Sequence, residues 1–302
     1  MHVVLYHPAR LPVDGYGGTE RVVVWLARGL AEMGHRVSLI AAPGSVVPEA
    51  TLIPCDPAVS GRSGGPDLMP YLPSNVDVVH SHAPLRRPPT GIPYLWTLHG
   101  NLRHGRQPLP HAVAVSRDHA RRHGISRWVH NGLDPAEYRF ESRKERSDLF
   151  LGRMHSVKGW QWAVRGARRA RRRIIMAGGW RPIFRPGVRW AGRVGGARKV
   201  ELLARAACLW MPVQWEEPFG LTAIEAMVSG TPVLATPRGA LPEIVAAGSG
   251  ALAPTLDELV ALRPSLDRLD PAEIRDNVLQ RFTHRTMASR YLELYKAVRS
   301  EK

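Results

Sequence analysis

Short apolar runs alternate with stretches of helical periodicity along almost the whole chain. Val3-Val4-Leu5-Tyr6 reads as a strand, Gly15-Tyr16-Gly17-Gly18 as a loop, and Thr19 to Met33 carries Val22, Val23, Leu26, Ala27 and Leu30 at helical spacing. Gly34 falls where a helix C-cap belongs, and Val37 to Ala41 resumes as strand. Further strands are predicted at Val76 to Val79, Tyr94 to Leu98 and Ala112 to Val115, with Ser116 placed to cap a short basic helix. Such alternation is the signature of βαβ units and parallel sheets.

Pro135 to Ser147 is charged, lacks apolar periodicity and reads as a linker. A second series then starts at Leu149-Phe150-Leu151-Gly152, with a helix after Lys158, a strand at Ile174-Ile175-Met176 and a helix over Lys199 to Ala207. The strand Leu209-Trp210-Met211 leads to a helix from about Leu221 and to the strand Val233-Leu234-Ala235. Thr255 with Glu258, and Asp270-Pro271 with Glu273, read as capping boxes opening two late helices. A last helix, Thr286 to Val298, places Met287, Tyr291, Leu294 and Tyr295 along one face. The expectation is an α/β protein of two domains, residues 1–146 with a closing helix at 283–302, and residues 147–282. Ligands in such folds bind off the carboxyl ends of the strands, so a cleft between the domains is the expected site.

The candidate chemistry centres on Trp215-Glu216-Glu217-Pro218-Phe219-Gly220-Leu221-Thr222-Ala223-Ile224-Glu225. Pro218 and Gly220 force a tight loop after a strand, and good helix formers follow. A strand-to-helix junction of this kind aims backbone N–H groups and the positive helix end at one spot, which suits a phosphate. Glu217 lies in the loop and Glu225 about one turn into the helix, roughly 12 Å or more apart. That is about the span from a sugar ring to a ribose, and carboxylates accept hydrogen bonds from paired hydroxyls. Taken alone, Glu217 could equally cap its own helix and Glu225 sit on a solvated face.

Glu-Pro-Phe-Gly-Leu-x-x-x-Glu, followed by Ala-Met-x-x-Gly-Thr-Pro-Val, resembles the E-x7-E signature of the retaining glycosyltransferases of family 4. The resemblance continues in order through the chain. It includes Gly17-Gly18-Thr19-Glu20-Arg21, Val78-Val79-His80-Ser81-His82, Thr97-Leu98-His99-Gly100, His130-Asn131-Gly132-Leu133-Asp134, Leu151-Gly152-Arg153 with Lys158-Gly159, and Phe282 to Tyr295. It implies a GT-B fold, with two Rossmann-like domains whose parallel sheets face across a cleft and a C-terminal helix that crosses back to the N-terminal domain. The N-terminal domain would take the acceptor and the C-terminal domain the nucleotide-sugar donor.

The roles implied by the resemblance are these. Arg153 and Lys158 grip the donor diphosphate, where cations offset charge developing on the leaving group. Gly17 and Gly18 allow close backbone approach. Glu217 holds hydroxyls of the transferred sugar and Glu225 those of the ribose, while Phe219, Gly220 and Leu221 contribute through backbone amides. His99 faces the sugar and the reacting centre. The implied reaction is transfer of a hexosyl group from a UDP- or GDP-type donor to a glycan or lipid-linked acceptor, with retention of configuration, no cofactor and no metal. No Asp-x-Asp pair occurs in the sequence, so Lys and Arg would neutralise the diphosphate. The chain is short for this family. Pro54 to Pro73 is rich in Pro, Gly and Ser, and Gly179 to Val188 carries Pro182 and Pro186 where a helix is usual.

Composition adds constraints of its own. Apolar residues make up 44% and charged residues 23% of the 302, ordinary for a globular protein. Cys55 and Cys208 lie far apart without a CxxC, which argues against a disulfide framework or structural zinc and fits a reducing cytoplasm. No signal peptide or membrane-spanning run is visible. The net charge of +16 is almost wholly arginine, since only Lys144, Lys158, Lys199, Lys296 and Lys302 are lysines. That charge either reflects compositional bias or attracts anions such as an acidic membrane surface. The densest segment is Trp160 to Arg173, with Arg165, Arg168, Arg169, Arg171, Arg172 and Arg173. The expectation is a cytoplasmic enzyme, peripheral on the membrane at most. Runner-up readings are a nucleotide-sugar epimerase or another GT-B enzyme, and a non-enzymatic basic protein binding lipid or nucleic acid. No nucleic-acid-binding motif supports the last.

Overall fold

A computed structural model of the chain describes residues 1–301 except 14, 16, 57–64, 104, 109 and 180–184. The expectations on Tyr16, on residues 57–64 of the Pro54–Pro73 stretch, on Pro182 and on Lys302 therefore fall outside the described residues. The chain divides into two compact units, Met1–Leu133 with Phe282–Lys302, and Asp134–Arg281.

In the first unit the opening apolar run forms β1 (His2–Tyr6), every residue of it buried. Helix α1 (Gly18–Glu32) follows, and its buried Val22, Val23, Leu26, Ala27 and Leu30 are the residues whose spacing predicted it. Gly34 then turns the chain at a φ of 81° into β2 (Arg36–Ala41). The strands β3 (Thr51–Pro54), β4 (Val78–Ser81), β5 (Tyr94–Leu98), β6 (Ala112–Ala114) and β7 (Arg127–Trp128) complete a seven-stranded sheet of order β3-β2-β1-β4-β5-β6-β7. Its pairings are all parallel. Ser116 caps α2 (Arg117–His123) through a bond from the His119 N–H.

The second unit repeats the plan. Strands β8 (Ser147–Leu151), β9 (Arg173–Ala177), β10 (Val188–Gly192), β11 (Leu209–Met211), β12 (Val233–Ala235) and β13 (Gly250–Leu252) form a parallel sheet of order β10-β9-β8-β11-β12-β13. Helices α3 (Trp160–Arg169), α4 (Gly196–Arg205), α5 (Leu221–Val228), α6 (Leu241–Ile244), α7 (Leu256–Leu262) and α8 (Pro271–Arg281) belong to it. Thr255 and Glu258 make the reciprocal capping box at α7, while Asp270 accepts from the Ala272 N–H at α8. Both sheets reverse strand order beside their first strand, the point at which doubly wound folds bind ligands.

Two expectations shift. The segment 134–146 packs with the second unit rather than ending the first. Its anchor is Lys144, whose ammonium donates to the Ala204 and Ser229 carbonyls and to Thr231 Oγ1, at 2.8, 2.7 and 3.1 Å. The first two acceptors lie at the C-terminal ends of α4 and α5, where a cation is favoured. The closing helix α9 (His284–Ser300) starts two residues before the predicted position, with Thr283 as its cap. Its inward face is Met287, Tyr291, Leu292 and Tyr295, with Leu292 rather than Leu294 buried. It packs on α1 within the first unit.

Candidate active site

In the second unit, the loop after β8 carries Arg153, exposed, and then a single helical turn over Ser156–Lys158. Gly159 follows at a φ of 72°, and a Cβ there would lie 1.8 Å from the Pro212 carbonyl oxygen, so only glycine lets this loop lie against the end of β11. The Gln214 N–H bonds the Val157 carbonyl at 2.7 Å and fixes the same approach. The loop that leaves β11 is pinned from its other side. Gly239 donates its N–H to Glu216 Oε2 at 2.6 Å, and the Ala240 N–H bonds the Glu217 carbonyl at 2.9 Å. A Cβ on Gly239 would stand 2.2 Å from that carbonyl oxygen.

These constraints bring Lys158 and Glu217 together. Lys158 Nζ donates to Glu217 Oε2 at 2.7 Å, and the Trp215 indole N–H donates to the same oxygen at 2.9 Å. The ammonium also sits 4.4 Å from the Trp215 ring centroid, within cation–π range. Glu217 is 9% exposed, so the pair is held in a largely dehydrated place. Phe219 is buried, and Gly220 precedes α5 with no side-chain cap on the helix. The first amides of α5 are thus not taken by a capping side chain. Glu225 lies on α5, buried, and its Oε1 accepts from Lys199 Nζ at 2.6 Å and from the Tyr138 hydroxyl at 2.7 Å.

The first unit offers different chemistry at the carboxyl ends of β1, β4 and β5. His7, His82 and His99 follow these three neighbouring strands. His99 Nε2 and His82 Nδ1 share a hydrogen bond of 2.9 Å, with the rings stacked at 5.2 Å. His82 Nε2 is buried with no partner among the described residues. His80 bonds Tyr295 Oη and Thr97 Oγ1, each at 2.7 Å, and lies against His82 with ring centroids 4.2 Å apart and planes tilted by 35°. Burial, reinforced by neighbouring histidines, pushes the pKa values of His80 and His99 down to about 3. The same causes hold His82 well below the ordinary histidine range. These rings are therefore neutral near pH 7. Gly17 caps α1 without side-chain help, but Glu20 occupies the first helical turn. A Cβ on Gly17 would lie 2.9 Å from Glu20 Oε2, so this carboxylate already stands beside the positive helix end.

The comparisons decide the family. Residues 16–136 match the family described as Glycosyltransferase Family 4, and residues 145–267 the one described as Glycosyl transferases group 1. The crystal structure of AviGT4, a glycosyltransferase involved in avilamycin A biosynthesis, shares 30% identity and a TM-score of 0.81, covering 100% of this chain and 98% of that one. The chain belongs to the family 4, group 1 glycosyltransferases.

Glycogen synthase of Mycobacterium tuberculosis is 28% identical over an alignment of 203 positions that covers 57% of this chain and 48% of that protein, so the match spans about half the relative's length. Sucrose-phosphate synthase from Thermosynechococcus elongatus has a TM-score of 0.74 at 18% identity, with 100% of both chains covered. HepE of Anabaena, solved in complex with UDP-glucose, has a TM-score of 0.71 at 15% identity, covering 98% of this chain and 100% of that one. Both share the GT-B fold, with its two parallel-sheet units. Within this glycosyltransferase, three partners of the paired glutamates escaped the sequence reading. Trp215 stands two residues before Glu217 and could have been suspected. Tyr138 is an aromatic in a charged linker, a weaker signal. Lys199 had none, being one cation on a helix of a strongly basic chain.

Proposed function

We propose that this glycosyltransferase moves a hexosyl group from a UDP- or GDP-type nucleotide sugar to a hydroxyl of a glycan or lipid-linked acceptor, retaining the anomeric configuration and using no divalent metal. The observation that carries the donor assignment is the part-buried contact of Lys158 with Glu217 beside the uncapped start of α5. In the proposed reaction the bond from the anomeric carbon to the diphosphate oxygen breaks as the bond to the acceptor oxygen forms. The acceptor proton passes to the departing phosphate oxygen, so no protein base is required. Lys158 and Arg153 offset the charge that grows on the diphosphate, worth several kcal/mol in a partly dehydrated site. Glu217, already oriented by Lys158 and Trp215, accepts from hydroxyls of the sugar. Glu225 takes the ribose, Gly17 and Gly18 admit the diphosphate, and the backbone around Phe219, Gly220 and Leu221 binds phosphate. His99 keeps its proposed catalytic part, as a neutral ring. The UDP-glucose held by HepE supports the donor class.

The proposed setting is cytoplasmic. Among the described residues no helix is long and apolar enough to cross a membrane. Helix α3 buries Ala163, Val164 and Ala167 inside its own unit, so a peripheral contact with anionic lipid would run through its exposed arginine heads rather than by insertion. Proton NMR of the product formed in EDTA tests the reaction. The expected result is a glycoside with the donor's anomeric configuration at an undiminished rate. An inverted product, or dependence on added magnesium, would contradict the reading, and a changed sugar in donor-only incubations would indicate an epimerase.

A further inference from the structure

Glu217 and Glu225 are held in the same way. Each has one carboxylate oxygen that accepts from a lysine ammonium and from an aromatic side-chain donor. For Glu217 these are Lys158 and the Trp215 indole, and for Glu225 they are Lys199 and the Tyr138 phenol. Lys158 belongs to the proposed diphosphate grip, whereas neither Lys199 nor Tyr138 has a part in the proposed transfer. Both lie in the interior of the second unit, with Lys199 9% and Tyr138 6% exposed. Lys199 Nζ also stands 5.8 Å from the Tyr138 ring centroid, so the two donors converge from one side. A buried carboxylate with a single donor can turn about its last side-chain bond. Two donors on one oxygen fix its plane and leave the second oxygen, with two lone pairs, directed elsewhere. Glu225 Oε2 carries no protein hydrogen bond among the described residues, although Oε1 accepts two. The ammonium further cancels the carboxylate charge, which would otherwise repel a bound diphosphate.

We infer that Lys199 and Tyr138 are positioning residues that lock Glu225 so that Oε2 is presented to the vicinal hydroxyl pair of the donor's ribose. This rests on the glycosyltransferase reading and on Glu225 as the ribose ligand, and it assigns the selection of ribose over 2′-deoxyribose to a pair of residues that do not touch the nucleotide. Tyr138 comes from the segment just after the start of the second unit, so the clamp also ties that segment to α5.

Isothermal titration with UDP, GDP and ADP and with their 2′-deoxy counterparts tests it, on the whole protein and on Tyr138→Phe and Lys199→Met. The unaltered protein is expected to bind at least one ribonucleotide about tenfold more tightly than its deoxy form, the ratio for one charge-assisted hydrogen bond. Tyr138→Phe keeps the ring and removes only the hydroxyl. It should lose most of that preference by weakening the ribonucleotide alone, with the deoxy form bound as before. Lys199→Met should do the same or more, and because it strands a buried carboxylate, Tyr138→Phe decides if that variant fails to fold. Unchanged preference in Tyr138→Phe, or equal weakening of both nucleotide forms, would overturn the clamp. If the unaltered protein bound none of the nucleotides, the parent reading would fail instead.

Discussion

In the second unit the groups of the candidate site are paired by charge, Lys158 with Glu217 on the loops after two strands and Lys199 with Glu225 on α4 and α5, at 2.7 and 2.6 Å. In the first unit the equivalent edge holds His82 and His99 as neutral rings bonded to each other, over a His80 that is bonded to Thr97 and Tyr295. One parallel-sheet plan thus carries two electrostatic solutions. The proposed dianionic diphosphate would need cations, and cations brought into a partly buried loop need carboxylates to offset their lost hydration. In the proposed transfer a neutral sugar or acceptor needs donors and acceptors without net charge, which a cluster of neutral imidazoles would supply. The comparison also separates how the two units should respond to substitution and to acid.

The largest effect should follow from Glu217→Gln, which removes the carboxylate from the charged edge. Steady-state kinetics should show kcat lowered by about 100- to 1000-fold, the range for loss of one preorganised polar contact at a reacting centre. Full activity would transfer the reaction away from that edge. Next comes Arg263→Leu, far from the proposed chemistry. Arg263 and Asp148 are both fully buried, joined at 2.5 Å, with the Trp210 indole on the same carboxylate at 2.7 Å. Stranding Asp148 should cost about 3–5 kcal/mol in chemical denaturation, placing the damage in the second unit.

Acid should instead strike the first unit. His80 and His99 have folded pKa values near 3, below the unfolded value of about 6.5. The unfolded chain therefore takes up protons first as the pH falls. The stability these rings contribute is complete above pH 6.5 and is lost progressively toward pH 3, at up to about 1.4 kcal/mol per pH unit for each ring. Denaturation between pH 7 and pH 4, followed by histidine NMR signals, should report early loss of the first unit. A flat profile would remove the contrast. The smallest effect is expected from His82→Asn, which removes the ring that orients His99. About a tenfold loss in kcat with little change in stability would fit a positioning part.

The sequence made most of the fold legible because βαβ units write apolar runs and 3.6-residue periodicity directly into the chain. β1, α1, β5 and α5 appear within a residue or two of their predicted bounds. β7 and β13 went unseen because they are short and only partly buried, so no apolar run marks them as Leu209-Trp210-Met211 and Val233-Leu234-Ala235 mark β11 and β12. β10, at the sheet edge, has no fully buried residue, so no apolar run marks it. At the site, the E-x7-E spacing pointed to Glu217 and Glu225, since loop chemistry and helix start are local. Their partners were not legible, because Lys199 and Tyr138 reach Glu225 through tertiary packing that no spacing encodes. Likewise, the glycine loop suggested an open phosphate site, yet Glu20 lies beside it.

The central claim is that the charged edge of the second unit is the donor site. Thermal shifts measured with UDP, GDP, ADP and TDP in EDTA, on the unaltered protein and on Lys158→Met, test it most directly. One or two of these nucleotides should raise the melting temperature of the unaltered protein without metal, through preferential binding to the folded state, and the shift should vanish in Lys158→Met. No shift with any nucleotide, or an equal shift in the variant, would contradict the assignment.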